Sequence, residues 1–313
     1  MPLPIFVFSH QIFAYSKPWH ETRYTSDMET VKKPHPIRAL ITDLDGTLVG
    51  HDMVVSHESK EALIAAREAG CLIVICTGRP TYRAMQIADQ LHADPDYLVT
   101  CNGAVVVDYH ARKIISRTLM PAVEAHSLVL EIIDAGIVPV VFEEPDTPGD
   151  RGQMVLYPAG MERGDWAEGD PFVLPSETLY ASIPFSPVSV SAYGDQAVMR
   201  PLAARLRARF GASFSTIEAG TETKWCVETY AFGVGKQRGV ERVLEATGIL
   251  PEETLGIGDH LNDIEMIQSA GIGVAMANAL PEALAVADWV TTSVYENGVA
   301  VAIKRFILSQ NGS

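Results

Sequence analysis

Short apolar runs that end abruptly in glycine, threonine or aspartate recur along this chain. Ile37 to Thr42 is rich in β-branched residues and uncharged after Arg38, and Cys71 to Cys76 is apolar throughout. Runs of this length suit strands that are buried on both faces of a parallel sheet. Amphipathic stretches of helical length, such as Gln237 to Thr247, lie between further runs. The pattern therefore predicts an α/β fold built on a parallel sheet.

The residues that end these runs carry reactive groups. Asp43-Leu44-Asp45-Gly46-Thr47 follows the first run, and Thr77-Gly78-Arg79-Pro80 follows the second. Gly233-Val234-Gly235-Lys236 precedes the amphipathic stretch, and Thr254 to Gly258 runs into Asp259-His260-Leu261-Asn262-Asp263. Open α/β sheets bind ligands at the carboxyl ends of their strands. We therefore expect four strand ends to supply an acid pair, a hydroxyl group, an ammonium group and a second acid pair.

Single segments admit other interpretations. Asp43 and Asp45 match the first and third positions of a calcium loop, but Leu48 and Val54 stand where that loop requires Gly and Glu. A solvated turn with two acids is a further alternative for this segment taken alone. Lys236 taken alone fits an exposed lysine, which is the usual environment of that residue. The order of the four segments is what favours a reaction site.

Taken together, DLDGT at 43–47, TGR at 77–79, the lysine before a helix and GDHLND at 258–263 resemble the four motifs of the haloacid dehalogenase superfamily. Asn102-Gly103-Ala104 and Asn297-Gly298-Val299-Ala300 are similar to the Cof-type branch, which inserts a large α/β cap between the second and third motifs. The resemblance covers about Ile37 to the C-terminus. It implies a Rossmann-like parallel-sheet core with an inserted α+β cap, and the activity of an aspartate-nucleophile phosphatase.

The chemistry of phosphate esters supports the same interpretation. A phosphate monoester is an anion that repels nucleophiles, so its hydrolysis is helped by a metal that neutralises charge and by an intermediate that divides the reaction into two steps. We expect Asp43 to be the nucleophile, which forms an aspartyl-phosphate. Asp45 would protonate the leaving oxygen and then deprotonate the attacking water. The resemblance assigns these two roles to the same two residues.

Clustered carboxylates without a matching set of His or Cys favour Mg²⁺, a hard cation that takes oxygen ligands. The expected ligands are Asp43, the backbone carbonyl of Asp45, and Asp259. The resemblance adds Asp263, which in the family supports this site from close by, so we expect it to act on the metal indirectly or through water. All four residues are thus predicted to belong to the metal site.

A second group of residues is expected to hold the phosphoryl oxygens, where charge shifts during transfer. It consists of Thr77 with the backbone N–H of Gly78, Lys236 and Asn262. Lys236 would also help to keep Asp43 ionised, because it lies between that residue and the other acids. Arg79 is expected to orient its loop by pairing with an acid.

Composition narrows the choice of partners. The formal net charge of -15 argues against nucleic-acid or anionic-membrane partners, which require a basic footprint. The four cysteines lack metal spacing, so we expect reduced thiols in a cytoplasmic protein. The expected partner is a small phosphorylated metabolite, such as a sugar phosphate, a nucleotide or a cofactor phosphate. The sequence does not choose among these classes, and it is compatible with any oligomeric state.

The 313 residues, 47% of them hydrophobic, suffice for two domains. Residues 1–36 do not fit the pattern, and we expect a disordered or non-native extension, because the apolar start lacks the features of a secretory signal and the rest is polar and Pro-rich. We assign residues 37–119 and 223–313 to the core and 120–222 to the cap. Ala104 to Arg117 predicts a hairpin that completes the first part of the core.

Three functions agree with these motifs. The leading one is a Mg²⁺-dependent phosphatase that acts on phosphate monoesters of small metabolites. A phosphomutase or phosphotransferase would use the same aspartyl-phosphate with a hydroxyl acceptor in place of water. The third is a catalytically silent regulatory protein that binds phosphate. The presence of Asp43 and Asp45 weighs against this third function, because phosphate binding alone does not need a nucleophile.

Overall fold

The computed structural model describes residues 35–51, 53–91, 94–148, 155–162, 173–221 and 224–311. The predicted N-terminal extension, residues 1–36, lies outside this part of the chain except for its last two residues. None of the helices in the described part is long and apolar enough to cross a membrane.

The larger of the two sheets has eight strands and contains the predicted parallel array. Its strands are β1 (Ala39–Thr42), β2 (Leu72–Cys76), β3 (Tyr97–Thr100), β4 (Val105–Asp108), β5 (Lys113–Arg117), β12 (Thr254–Gly258), β13 (Ile272–Ala275) and β14 (Trp289–Val290). They are ordered β14-β13-β12-β1-β2-β3-β4-β5. The pairs from β14 to β3 are parallel, and β4 and β5 add an antiparallel hairpin. The predicted parallel sheet and the hairpin within residues 104–117 are thus confirmed.

Helices cover both faces of this sheet. The helices of the described chain are α1 (His57–Glu68), α2 (Thr81–Leu91), α3 (Ala122–Asp134), α4 (Gln196–Phe210), α5 (Lys236–Thr247), α6 (Ile264–Ser269), α7 (Pro281–Leu284) and α8 (Gly298–Phe306). Leu40 of β1 belongs to a hydrophobic cluster with α1, α2 and α8, whereas its neighbour Ile41 belongs to a cluster with α5 and α6. Successive strand residues point to opposite faces, which is why both residues are buried.

The smaller sheet has six strands and forms the cap together with α3 and α4. Its strands are β6 (Val140–Phe142), β7 (Val155–Pro158), β8 (Val173–Ser176), β9 (Ser189–Gly194), β10 (Phe214–Thr221) and β11 (Lys224–Ala231). They are ordered β10-β11-β9-β6-β7-β8, and all pairs except β7 with β8 are antiparallel. Val190 and Val227 pack with Leu128 of α3 and Leu202 of α4. One face of the cap sheet is thus covered by helices, as expected for an α+β cap.

The return from the cap to the core differs from the prediction. We expected the core to resume at residue 223, whereas β11 pairs with both β10 and β9 and so belongs to the cap sheet. Buried Trp225 and Val227 alternate with half-buried Cys226 and Glu228 along this strand. Such alternation occurs in any sheet that is covered on one face, so it does not show which sheet a strand joins. Consequently Lys236 opens α5 and does not follow a strand of the parallel sheet.

Candidate active site

Three neighbouring parallel strands bring the predicted catalytic residues to one edge of the larger sheet. β1 lies between β12 and β2, with Thr42 in register with Ile257 and Ile75. Asp43 therefore leaves the sheet beside the segments that carry Thr77 and Asp259. The backbone N–H of Asp43 donates to the carbonyl of Ile257 at 2.9 Å, which extends the strand pairing to the site itself.

Lys236 lies between two of the acids. Its Nζ donates to Asp43 Oδ1 at 2.5 Å and to Asp263 Oδ1 at 2.6 Å, and its side chain is 1% exposed. Burial alone would lower the pKa of this ammonium, but the charges of Asp263 and Asp43 outweigh burial and raise it. Lys236 is therefore a permanent cation, and it compensates part of the negative charge beneath the site.

The acids form a buried cluster with more negative charge than Lys236 can balance. Oxygen atoms of Asp43, Asp259 and Asp263 lie within 4.8 Å of one another. Burial raises the pKa of Asp43 although Lys236 opposes it, and burial together with Asp263 raises the pKa of Asp259 to about 7. Three carboxylates around one ammonium leave an excess of negative charge. Such a donor set fits a hard divalent cation with oxygen ligands.

The first motif approaches Asp259 closely. Thr47 Oγ1 donates to Asp259 Oδ1 at 2.9 Å and so fixes that carboxylate. Gly46 has a φ of +80°, and a Cβ at this position would lie 2.3 Å from Asp259 Oδ2. Only glycine combines this backbone conformation with this lack of side-chain volume. The glycine of the motif is thus required both by the turn and by the space around the carboxylate.

Asp263 supports the site in a different way from the other acids. Its Oδ1 accepts from Lys236, and its Oδ2 accepts from the backbone N–H groups of Asp259 and His260 at 3.1 and 2.9 Å. Both oxygens are thus engaged with the protein. Asp263 therefore holds Lys236 and the loop that carries Asp259, and its indirect action on the metal stays a prediction.

Asp45 lies apart from the buried cluster. Its carboxylate accepts two hydrogen bonds from Arg79, from Nε at 2.7 Å and from Nη2 at 2.5 Å, and its side chain is 46% exposed. The predicted pairing of Arg79 with an acid is thus confirmed. An accessible carboxyl group next to a buried acid can exchange protons with a substrate or with water. The structure therefore separates the two acids of the first motif into a buried one and an accessible one.

The loop after β2 and the loop after β12 meet at Asn102. The backbone N–H of Asn102 donates to the carbonyl of Thr77 at 3.1 Å, and Asn262 Nδ2 donates to Asn102 Oδ1 at 2.9 Å. A Cβ at Gly78 would lie 3.2 Å from the Asn102 side chain. Thr77, Gly78 and Asn262, the residues expected to contact phosphate besides Lys236, thus all contact Asn102. Asn102 is not among the predicted site residues, although it lies two residues after the end of β3, at the same sheet edge as the others.

The cap contributes a further acid, Glu228, which is not among the predicted site residues. Glu228 accepts from Asn102 Nδ2 at 2.7 Å, and burial raises its pKa to about 7. Glu228 lines a small cleft between the two sheets. Core residues Gly78, Pro80 and Cys101 and cap residues Phe142, Val188, Ser189, Glu228 and Tyr230 form its walls. Since Gly78 belongs to the loop expected to bind phosphate, the cleft adjoins the catalytic edge.

The other end of the β10–β11 hairpin rests on the loop after β12. His260 Nε2 lies 3.2 Å from the carbonyl oxygen of Gly220, and its ring packs against Trp225 with a centroid distance of 5.9 Å. Burial lowers the pKa of His260, which favours the neutral imidazole. The cap is therefore in contact with the core at His260 as well as at Asn102.

The chain is similar to known hydrolases and phosphatases. The sequence model of haloacid dehalogenase-like hydrolases matches residues 40–303. A pyridoxal phosphate phosphatase of Escherichia coli, YbhA, is 30% identical over 255 residues, which are 77% of this chain and 88% of YbhA. The 5-amino-6-(5-phospho-D-ribitylamino)uracil phosphatase YcsE of Bacillus subtilis is 25% identical, with 90% of this chain and all of YcsE covered. The structure of the subclass IIB sugar phosphatase BT4131 superposes with a TM-score of 0.69 at 25% identity, over 86% of this chain and 98% of BT4131.

Proposed function

Because the chain belongs to the haloacid dehalogenase-like hydrolases of the Cof type and is a phosphomonoesterase, we propose that it hydrolyses small phosphorylated metabolites through a Mg²⁺-dependent aspartyl-phosphate mechanism. The observation that carries this proposal is the buried arrangement of Asp43, Lys236 and Asp263 beside Asp259. A protein that only bound phosphate would gain nothing from a buried acid cluster that repels it.

Asp43 is the proposed nucleophile. Its carboxylate attacks phosphorus, the bond between phosphorus and the leaving oxygen breaks, and the phosphoryl group becomes an acyl phosphate on Asp43. The ammonium of Lys236, 2.5 Å from Asp43 Oδ1, favours the ionised form that this attack requires. Lys236 also lies where it can stabilise the negative charge of the transferring group.

Asp45 is the proposed general acid and base. It donates a proton to the leaving oxygen in the first step, and in the second step it removes a proton from the water that attacks phosphorus. The second step releases inorganic phosphate and restores the Asp43 carboxylate. The two contacts with Arg79 hold the Asp45 side chain at the solvent edge of the site, where both proton transfers would take place.

The proposed metal ligands are Asp43, the backbone carbonyl of Asp45, and Asp259, with Asp263 supporting them through Lys236 and the backbone. When bound, Mg²⁺ would supply charge neutralisation between the carboxylates and the substrate phosphate. Thr77, the backbone N–H of Gly78, Lys236 and Asn262 are the proposed contacts for the phosphoryl oxygens. The neighbouring carboxylates add to the larger effect of burial in raising the pKa values of Asp43 and Asp259. This supports the assignment, because a divalent cation at the cluster would offset the repulsion between these acids.

The proposed substrates are phosphate monoesters of small metabolites. This agrees with the named activities of the relatives, which include a pyridoxal phosphate phosphatase, a phosphatase of a ribitylamino-uracil phosphate and a sugar phosphatase. Action on cytoplasmic metabolites is part of this proposal.

The test is phosphate release from a broad panel of phosphorylated metabolites, with Mg²⁺ and with EDTA, by the wild-type protein and by Asp43→Asn. We expect release that requires Mg²⁺ and that falls by several orders of magnitude in the variant, as on loss of a nucleophile. Asp89→Asn is a matched control, because Asp89 also pairs with a basic residue, Arg112, but on the surface of α2. Activity of Asp43→Asn close to that of the wild type would end the proposed mechanism. Including a sugar hydroxyl as acceptor separates hydrolysis from phosphoryl transfer, because transfer yields a new phosphate ester.

A further inference from the structure

Asn102 occupies an unusual position in this fold. It is fully buried, with an exposed fraction of 0%, and its φ of 52° lies in the left-handed region. Both the oxygen and the nitrogen of its side-chain amide form hydrogen bonds. Oδ1 accepts from Asn262 of the core, and Nδ2 donates to Glu228 at 2.7 Å and to the hydroxyl of Tyr230 at 3.2 Å, both of the cap. One amide thus connects the catalytic edge of the core with strand β11.

The cap determines which way this amide points. The two hydrogens of Nδ2 have two acceptors on β11, and one of these acceptors is a carboxylate. If the amide were flipped while Glu228 is ionised, Oδ1 would face the Glu228 carboxylate and Nδ2 would face Asn262 Nδ2, so that oxygen would oppose oxygen and donor would oppose donor. The docked cap therefore holds Asn102 Oδ1 toward Asn262.

The orientation of the Asn102 amide in turn fixes the orientation of the Asn262 side chain. One hydrogen of Asn262 Nδ2 is donated to Asn102, which leaves the second hydrogen and the side-chain oxygen in fixed directions. The same Asn102 amide packs against Gly78, and its backbone holds the carbonyl of Thr77. The proposed phosphate contacts on two separate loops are thus set by a single residue.

We propose that Asn102 is a positioning residue through which the docked cap orders Asn262 and the Thr77–Gly78 loop to receive the phosphoryl group. This inference rests on the proposed function, because it takes Asn262 and Gly78 as phosphoryl contacts. When the cap moves away from the core, Asn102 loses both acceptors on β11 and the amide can rotate. This couples affinity for phosphate to the position of the cap and does not require a cap residue to touch the phosphate.

The test measures phosphate binding and turnover separately. Asn102→Gly deletes the amide but tolerates the positive φ, and Glu228→Ala removes the carboxylate acceptor on the cap. Binding of inorganic phosphate is measured by calorimetry in the presence of Mg²⁺, and turnover is measured with p-nitrophenyl phosphate. We expect Asn102→Gly to weaken phosphate binding and to lower kcat/KM by about 10-fold or more, the effect of losing one oriented hydrogen bond to a charged group.

A double variant tests whether the cap acts on the phosphate contacts by way of Asn102. If Glu228 acts through Asn102, the variant Asn102→Gly/Glu228→Ala is no more impaired than Asn102→Gly alone. Glu228→Gln keeps an oxygen acceptor and should recover most of the affinity lost in Glu228→Ala. Independent effects, which multiply in the double variant, would overturn the proposal.

Two further comparisons separate positioning from general stability. Glu131 is a buried cap acid whose partners, Arg205 and Arg209, also belong to the cap, so Glu131→Ala weakens the cap without removing a contact with Asn102. We expect it to lower the melting temperature but to leave phosphate affinity unchanged. If Asn102→Gly likewise lowers the melting temperature and leaves phosphate affinity unchanged, Asn102 has only a structural role. If the wild type neither binds phosphate nor releases it from any ester, the proposed function fails as well, whereas an active wild type with an unaffected Asn102→Gly overturns only the positioning role.

Discussion

Replacement of Glu228 by Gln should stabilise the protein at alkaline pH and have little effect at acidic pH. Glu228 lies between cap and core, and its hydrogen-bond donors, Asn102 and Tyr230, are both neutral. Burial raises its pKa from 4.5 to about 7, although these hydrogen bonds and the charge of Lys236 act in the opposite direction. Between these two pH values the folded protein keeps a proton that the unfolded chain has already released.

The sign and size of the effect follow from this difference. A carboxyl group with a raised pKa in the folded state costs no stability below pH 4.5, and its full cost is reached above about pH 7. A difference of about 2.5 pH units corresponds to about 3 kcal/mol of unfolding free energy. Gln cannot ionise, so Glu228→Gln avoids this cost. The stability gained by the variant should therefore grow from near zero at pH 4.5 to about 3 kcal/mol at alkaline pH.

Urea denaturation of wild type and variant at several pH values between about 5 and 8 measures this difference directly. Glu218→Gln is a suitable control. Glu218 also lies in the cap sheet, but it pairs with Arg207 at 2.6 Å, so its replacement removes an ion pair and should not stabilise the protein at any pH. A difference between Glu228→Gln and wild type that did not change with pH, or a variant that was less stable at pH 8, would refute the reasoning.

Two other substitutions test the metal site and the buried cation. Gly46→Ala places a Cβ against the Asp259 carboxylate and should weaken Mg²⁺ binding about 10- to 100-fold in a calorimetric titration. Gly70→Ala is the control, because Gly70 has a similar φ of +84° but open space around it. This control should cost only backbone strain. Equal Mg²⁺ affinity in both variants would contradict the close approach of Gly46 to the ligand. Lys236→Met leaves Asp43 and Asp263 without a buried counterion, so kcat should fall at least about 100-fold and stability should fall most at alkaline pH, where the two acids cannot take up protons. Unchanged turnover would remove Lys236 from the mechanism.

The parts of the site that follow directly after a strand could be predicted from the sequence. Asp43, Thr77 and Asp259 each come one residue after a parallel strand, and parallel strands present their carboxyl ends at a common edge. The pairing of Arg79 with an acid was also foreseen, but not that this acid is Asp45. These predictions succeeded because they depend on local periodicity and on a general property of parallel sheets.

Predictions that depended on the choice between two sheets were less successful. The strand Lys224–Ala231 has the burial pattern of a sheet covered on one face, and its assignment to the core was wrong because that pattern is shared by both sheets. For the same reason Glu228 was not recognised as a neighbour of the site. Alternation of buried and half-buried residues along a strand shows which side chains share a face of the sheet. It does not show which part of the protein packs against that face.

The sequence by itself thus determined the parallel sheet, the inserted cap and the set of acids and cation at the sheet edge. Only the tertiary structure decided that Lys236 bridges Asp43 and Asp263, and that the amide of Asn102 joins Asn262 to Glu228. Lys236 lies 193 residues from Asp43, and Asn102 lies 126 residues from Glu228. Strand and helix periodicity arises within a few residues, whereas the charge balance and hydrogen bonding of a buried site depend on which distant segments are packed together.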